Sequence, residues 1–202
     1  MRLFENATVE EEIGDVSADI AELETLAQTI ADNAVKIVRN NVGVLPIKKE
    51  KGKVLIVKLG GHYFHKEPLN TSFEYIEKEF VEQGWEVNSL FFAKHRYLKS
   101  IMNDYDLVLI VSDSEIHGST KRVGWDNMMA LWRGYILNHK NVVFVGTDDP
   151  YKLFDFPYAK TYINTFGKAP CLQRALVKLI LGKIESNGKN PVNFDGYFKR
   201  EN

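Results

Sequence analysis

The chain alternates between two kinds of segment, and that alternation restricts its fold more than any other feature. Five short runs of apolar and β-branched residues stand apart: "KVLIVKL" from Lys53, "EVNSLFF" from Glu86, "DLVLIVS" from Asp106, "NVVFVGT" from Asn141 and "KTYINTF" from Lys160. The first has no helical period and is short and apolar enough to be a buried strand, the third is the clearest buried strand, and the others read as strands. Helical patterns lie between and after them. In "TSFEYIEKEFVEQG", Phe73, Ile76, Phe80 and Val81 line one side and Gly84 stops the helix. "KHRYLKSIMNDY" spaces Tyr97, Leu98 and Ile101 helically, and "GWDNMMALWRGYILNHK" continues in the same manner. "DDPYKLFDFP" is irregular or a short helical piece. "KAPCLQRALVKLILGK" closes the series, with Pro170 in its first turn and Gly182 after its last. Strands separated by helices imply an α/β fold: a three-layer sandwich with a mostly parallel sheet of five or six strands and helices on both faces.

One further helix opens the domain. From Ser17, the residues Ile20, Leu23, Ala27, Ile30, Ala34, Ile37 and Val38 recur at helical steps, which predicts one apolar face. "NNVG" should end this helix, because Asn and Gly permit a left-handed exit. Residues 1–16 form a polar, acidic N-terminal segment in which Thr8 and Glu11 could cap a short turn, and residues 17–202 read as one domain.

With 202 residues, the chain holds one sizeable core and is short for two. A net charge of -1 leaves no basic footprint for nucleic acid or for a membrane surface. No apolar run reaches the length of a membrane span. A single cysteine, Cys171, cannot form an internal disulfide, and the acidic start is unlike a signal peptide, so a cytoplasmic location is expected.

Parallel sheets place sites at the carboxyl ends of their strands. These ends are Gly60-Gly61-His62, Ala93-Lys94, the stretch from Ser112 to Lys121, Thr147 to Pro150, and Thr165-Phe166-Gly167. Gly60-Gly61 lacks the third glycine of a dinucleotide loop and the Gly-Lys-Ser/Thr of a P-loop, so a backbone turn is the preferred reading and no nucleotide cofactor is expected. His62, His65 and His117 have no fourth ligand at a diagnostic spacing, so no metal is expected. The loop "SDSEIHGSTKR" is the densest polar segment, and Asp113, Glu115 and His117 are acid–base residue types. The same residues make a solvated loop with a helix cap, which is the preferred reading of that loop by itself. Trp125, Trp132, Met128 and Met129 read as core packing on one helix.

An ordered set of segments resembles the C-terminal α/β sandwich domain of family 3 glycoside hydrolases. It begins with "LAQTIADNAVKIVRNNVGVLPIKKEKGKVLIVKLGG", where Ala27, Ala31, Val35, Arg39, Asn40, Leu45, Pro46, Ile47 and the strand at Val54 occupy matching places. "YDLVLIVS", "NVVFVGTDDPYKLFDFPYAKTYINTFG" and "ALVKLILGKIESNGKNPV" follow in the family's order. The resemblance runs from about Leu26 to Val192 and makes "VLPI" the turn that leads into the sheet. It implies a catalytic aspartate on a preceding (β/α)8 barrel, for which about fifty residues before the first strand leave no room.

In the β-glucosidase branch, the acid/base glutamate comes from the C-terminal domain. In the N-acetylglucosaminidase branch, a barrel histidine takes that role. The short loops here resemble the N-acetylhexosaminidase branch. Hydrolysis needs two groups across the bond, and at most one is here, with Glu115 the candidate by its loop position. The resemblance therefore implies an accessory domain, inactive alone, whose partners are a barrel and a carbohydrate, with Asp113, Glu115 and His117 at the rim of the sugar site. The competing reading is a free-standing flavodoxin-like module that binds a small ligand or a protein.

Overall fold

The computed structural model describes residues 17–60, 73–91, 95–113, 134–148, 150–154, 156–194, 196–197 and 199–201. Six strands form one sheet: β1 (Lys36–Asn40), β2 (Lys53–Gly60), β3 (Glu86–Phe91), β4 (Leu107–Asp113), β5 (Val142–Gly146) and β6 (Thr161–Asn164). Their order is β1-β6-β5-β4-β2-β3. All neighbours are parallel except β1, which runs antiparallel to β6 along one edge. Every residue of β4 and β5 is buried, which is why their sequences are continuous apolar runs without alternation.

The helices divide between the two faces. On one lie α1 (Ser17–Ala34), α2 (Glu74–Glu82) and α4 (Pro170–Ile180). Their core joins Ile76 and Phe80 to Leu176, Val177 and Ile180 over Val54, Leu109 and Val145. The other face carries α3 (His95–Ile101) and short 3-10 turns at Met102–Asp104, Gly134–Asn138 and Lys152–Phe154. There, Leu98, Met102, Leu137, Leu153 and Phe156 pack on Val57, Ile110, Phe144 and Tyr162. The three-layer sandwich expected from the alternation is present.

Two expectations for the opening helix do not hold. It ends at Ala34, and Ile37 and Val38 belong to β1. The run Val35-Lys36-Ile37-Val38 fits a helical spacing, but its β-branched residues favour an extended chain, and β6 offers a ladder for it. The turn signal was real, but it closes a strand: Gly43 has φ 64° and donates to the Asn40 carbonyl at 3.1 Å. The second correction concerns the apolar face. Ile20, Leu23 and Ile30 are exposed, and α1 meets α4 through a different side. On that side Ala31 and Val35 are buried, Gln28 accepts from Arg174 Nε at 2.7 Å, and Lys178 Nζ reaches Asp32 Oδ2 at 2.8 Å. Val81 and Tyr97, expected to line their helices' inner sides, also face solvent.

The segments that carry the family resemblance at the two ends of the chain meet in space. The Asn40 amide donates to the Leu45 carbonyl at 2.8 Å, which fixes the "VLPI" turn. Ile47 N then donates to the Ile180 carbonyl at 2.8 Å. Gly182, with φ 71°, ends α4 so close to Pro46 that an added Cβ would lie 2.8 Å from the proline Cβ. The tail beyond α4 covers the outer edge of β1. Ile37 N donates to Ser186 Oγ at 2.8 Å, and Lys36 pairs with Glu201 at 2.8 Å. An edge strand is thereby hidden from further pairing.

Candidate functional site

The carboxyl edge of the sheet gathers Gly60, Asp113, Gly146 and Asn164 in register, each aligned with its neighbour or one step from it. Side chains alternate across the sheet, so consecutive residues at this edge serve opposite faces.

On the α4 face stand Asp113, Thr147 and Thr165. Asp113 is 1% exposed, and its carboxylate lies 3.2 Å from Lys168 Nζ and 3.4 Å from Thr147 Oγ1. The Thr147 hydroxyl is also 3.1 Å from the Ser112 carbonyl, tying the end of β5 to β4. Thr165 donates to the Gly167 carbonyl at 2.6 Å, and Phe166 has φ 57°, an unusual conformation for an aromatic residue. That turn delivers Lys168 to Asp113 just ahead of α4. Lys168 is about half exposed, so the pair joins a buried anion to a cation at the surface.

On the opposite face, Lys152 is buried and pairs with Asp148 at 2.9 Å. Beside them, a Cβ on Gly146 would lie 2.6 Å from the Tyr162 hydroxyl and 3.1 Å from Lys152 Cγ. A larger residue there would force the buried Tyr162 ring to shift. Asn164 accepts from Phe166 N at 2.9 Å, while its buried amide nitrogen finds no partner among the described residues.

Of the residues singled out in the sequence, Asp113 lies at the strand end as expected, with its carboxylate engaged by Lys168. Glu115, His117, Gly61, His62, His65, Ala93, Lys94, Trp125, Met128, Met129 and Trp132 lie outside the described residues, as does the Thr8–Glu11 cap. The described residues contain no group of three metal-ligating side chains. Sequence reasoning missed Lys152, Lys168 and Asn164. The available signals were an Asp148–Lys152 spacing of one helical turn and a lysine directly after the Gly167 strand end. Chemically, the described edge offers a buried carboxylate paired with a surface ammonium, a buried ammonium paired with a partly exposed carboxylate, and hydroxyl donors. Glycoside hydrolysis by two carboxylates facing each other across a bond is not assembled from these residues.

No family model matches the chain. A beta-N-acetylglucosaminidase/beta-glucosidase from Cellulomonas fimi is 27% identical over 177 residues, covering 83% of this chain and 31% of its own length. A structure of a fungal multi-domain GH3 beta-N-acetylglucosaminidase superposes with a TM-score of 0.67 at 19% identity, covering 92% of this chain and 21% of that one. The family 3 beta-N-acetylglucosaminidase of Paenibacillus sp. gives a TM-score of 0.61 at 16% identity, covering 92% of this chain and 34% of that one. The chain therefore shares the fold of part of these two family 3 enzymes. The resemblance drawn from the "VLPI" turn, the strand series and the closing helix stands. The chain spans about a third of the curated relative it matches, so the remainder of such a protein has no counterpart among these residues.

Proposed function

We propose that this chain is the accessory C-terminal domain of a family 3 glycoside hydrolase of the β-N-acetylhexosaminidase type. In this reading it packs against a catalytic (β/α)8 barrel and shapes the rim of the sugar site. The observation that carries the proposal is the match to a beta-N-acetylglucosaminidase/beta-glucosidase over 83% of this chain but only 31% of that enzyme. The chemistry agrees: hydrolysis needs two groups placed across the glycosidic bond. The described carboxyl edge holds Asp113 in a pair with Lys168. The rim is assigned to Asp113, Glu115 and His117, with Lys168 holding Asp113 in place. The nucleophile is assigned to the barrel, as the family resemblance implies.

The purified chain should therefore leave nitrophenyl β-N-acetylglucosaminide and nitrophenyl β-glucoside unhydrolysed. Turnover that persists through rigorous purification and vanishes in Glu115→Ala would overturn the assignment.

A further inference from the structure

The amino-terminal half of α1 has a composition at odds with its surroundings. Residues 19–27 are exposed at every position. Yet Ile20 is 51% exposed, Leu23 63%, Leu26 54% and, one turn further on, Ile30 60%. At about 100° per residue these four fall within an arc of about 120°. That arc is centred more than roughly a third of a turn from the side bearing Gln28, Ala31, Asp32 and Val35, which meets α4. A helix half with no tertiary support is marginal in water, and its usual stabilisation is burial of an apolar stripe. Exposed apolar residues gathered on one helix face are the raw material of an interaction site.

The charges around the stripe select the occupant. Asp19 falls on the same arc at the helix start, Glu22 and Glu24 flank it, Asp32 is engaged by Lys178, and the helix has no lysine or arginine. A second copy of the chain would set carboxylates against carboxylates, which is unfavourable at helix–helix flanks.

We propose that the α1 stripe formed by Ile20, Leu23, Leu26 and Ile30 is a docking surface for a partner domain that presents an apolar groove flanked by lysine or arginine. The inference rests on the accessory-domain reading, in which about two thirds of the assembly lies outside this chain. It adds which surface joins the two parts and the chemistry of the opposing one. Basic side chains beside the groove would meet Asp19, Glu22 and Glu24, while the four apolar side chains leave water.

The test uses the full chain and two labelled synthetic helices with leucine at heptad positions a and d. One carries lysine at e and g, the other glutamate. Fluorescence anisotropy should show the lysine peptide binding at least 10-fold more tightly than the glutamate peptide. The double variant L23D/I30D should lose at least 10-fold of that affinity. Phe154→Asp, an exposed aromatic remote in sequence from the stripe, should lose none. Sedimentation of the chain alone should give a monomer. Equal binding of both peptides, absence of binding, or retention of full affinity in the double variant would each overturn the proposal. So would a dimer that the double variant dissolves, since it would make a second copy the occupant. None of these readouts depends on glycosidase activity. Failure here would leave the accessory-domain reading intact, and turnover by the purified chain would remove that reading without altering the peptide result.

Discussion

Helices α1 and α4 lie side by side on one face of the sheet, and both have apolar residues at helical spacing. Their fates differ. In α4, Ala175, Leu176, Val177, Leu179 and Ile180 are buried. In α1, the regularly spaced Ile20, Leu23 and Ile30 are exposed, and the helix is fastened to α4 by Gln28 with Arg174 and Asp32 with Lys178, beside the buried Ala31. Hydrophobic period marks where a helix can form. It does not show whether the apolar face is turned to its own domain or to another one.

The contrast predicts a graded set of stability changes, read by chemical denaturation. Leu176→Ala deletes a fully enclosed side chain and should cost about 2–5 kcal/mol. A loss below about 1 kcal/mol would mean that α4 is less closely packed than described. Gly182→Ala should cost about 1–3 kcal/mol, since alanine is strained at positive φ and its Cβ would press on Pro46. A neutral result would separate the two family signatures that meet there. Asp32→Ala removes a half-buried pair with Lys178 and should cost about 1 kcal/mol or less. A larger loss would make the polar α1–α4 contact a main support of the fold. Leu23→Asp should change stability by no more than about 0.5 kcal/mol, as at ordinary surface positions. A loss near that of Leu176→Ala would erase the difference between the helices.

The same contrast marks where the sequence was legible. β2, β4 and β5 were readable because runs of apolar, β-branched residues suit buried parallel strands, whereas β3 is an edge strand exposed at four of its six residues and was placed by its position between two helical patterns. The closing helix was readable from both ends, since Pro170 and Gly182 act through their own backbone restrictions. β1 was not readable, because Ile37 and Val38 satisfy both a helical spacing and a strand's preference, and only the presence of β6 decides between them. At the candidate site, Asp113 was placed by the end of its strand. Its pairing with Lys168 joins residues 55 positions apart and depends on how the Phe166 turn aims the lysine, which no local pattern encodes. The exposure of α1 was hidden for the same reason: burial is a property of neighbours.

Hydrogen exchange of the chain alone, followed by mass spectrometry, tests the central claim most directly: that the amino-terminal half of α1 is a folded surface without a partner. Amides of residues 19–27 should exchange at least 10-fold faster than those of α4, because opening the former disturbs no buried contact and opening the latter exposes the core. Protection of residues 19–27 equal to that of α4, in a sample shown to be monomeric, would contradict the account by showing that the apolar stripe is already covered.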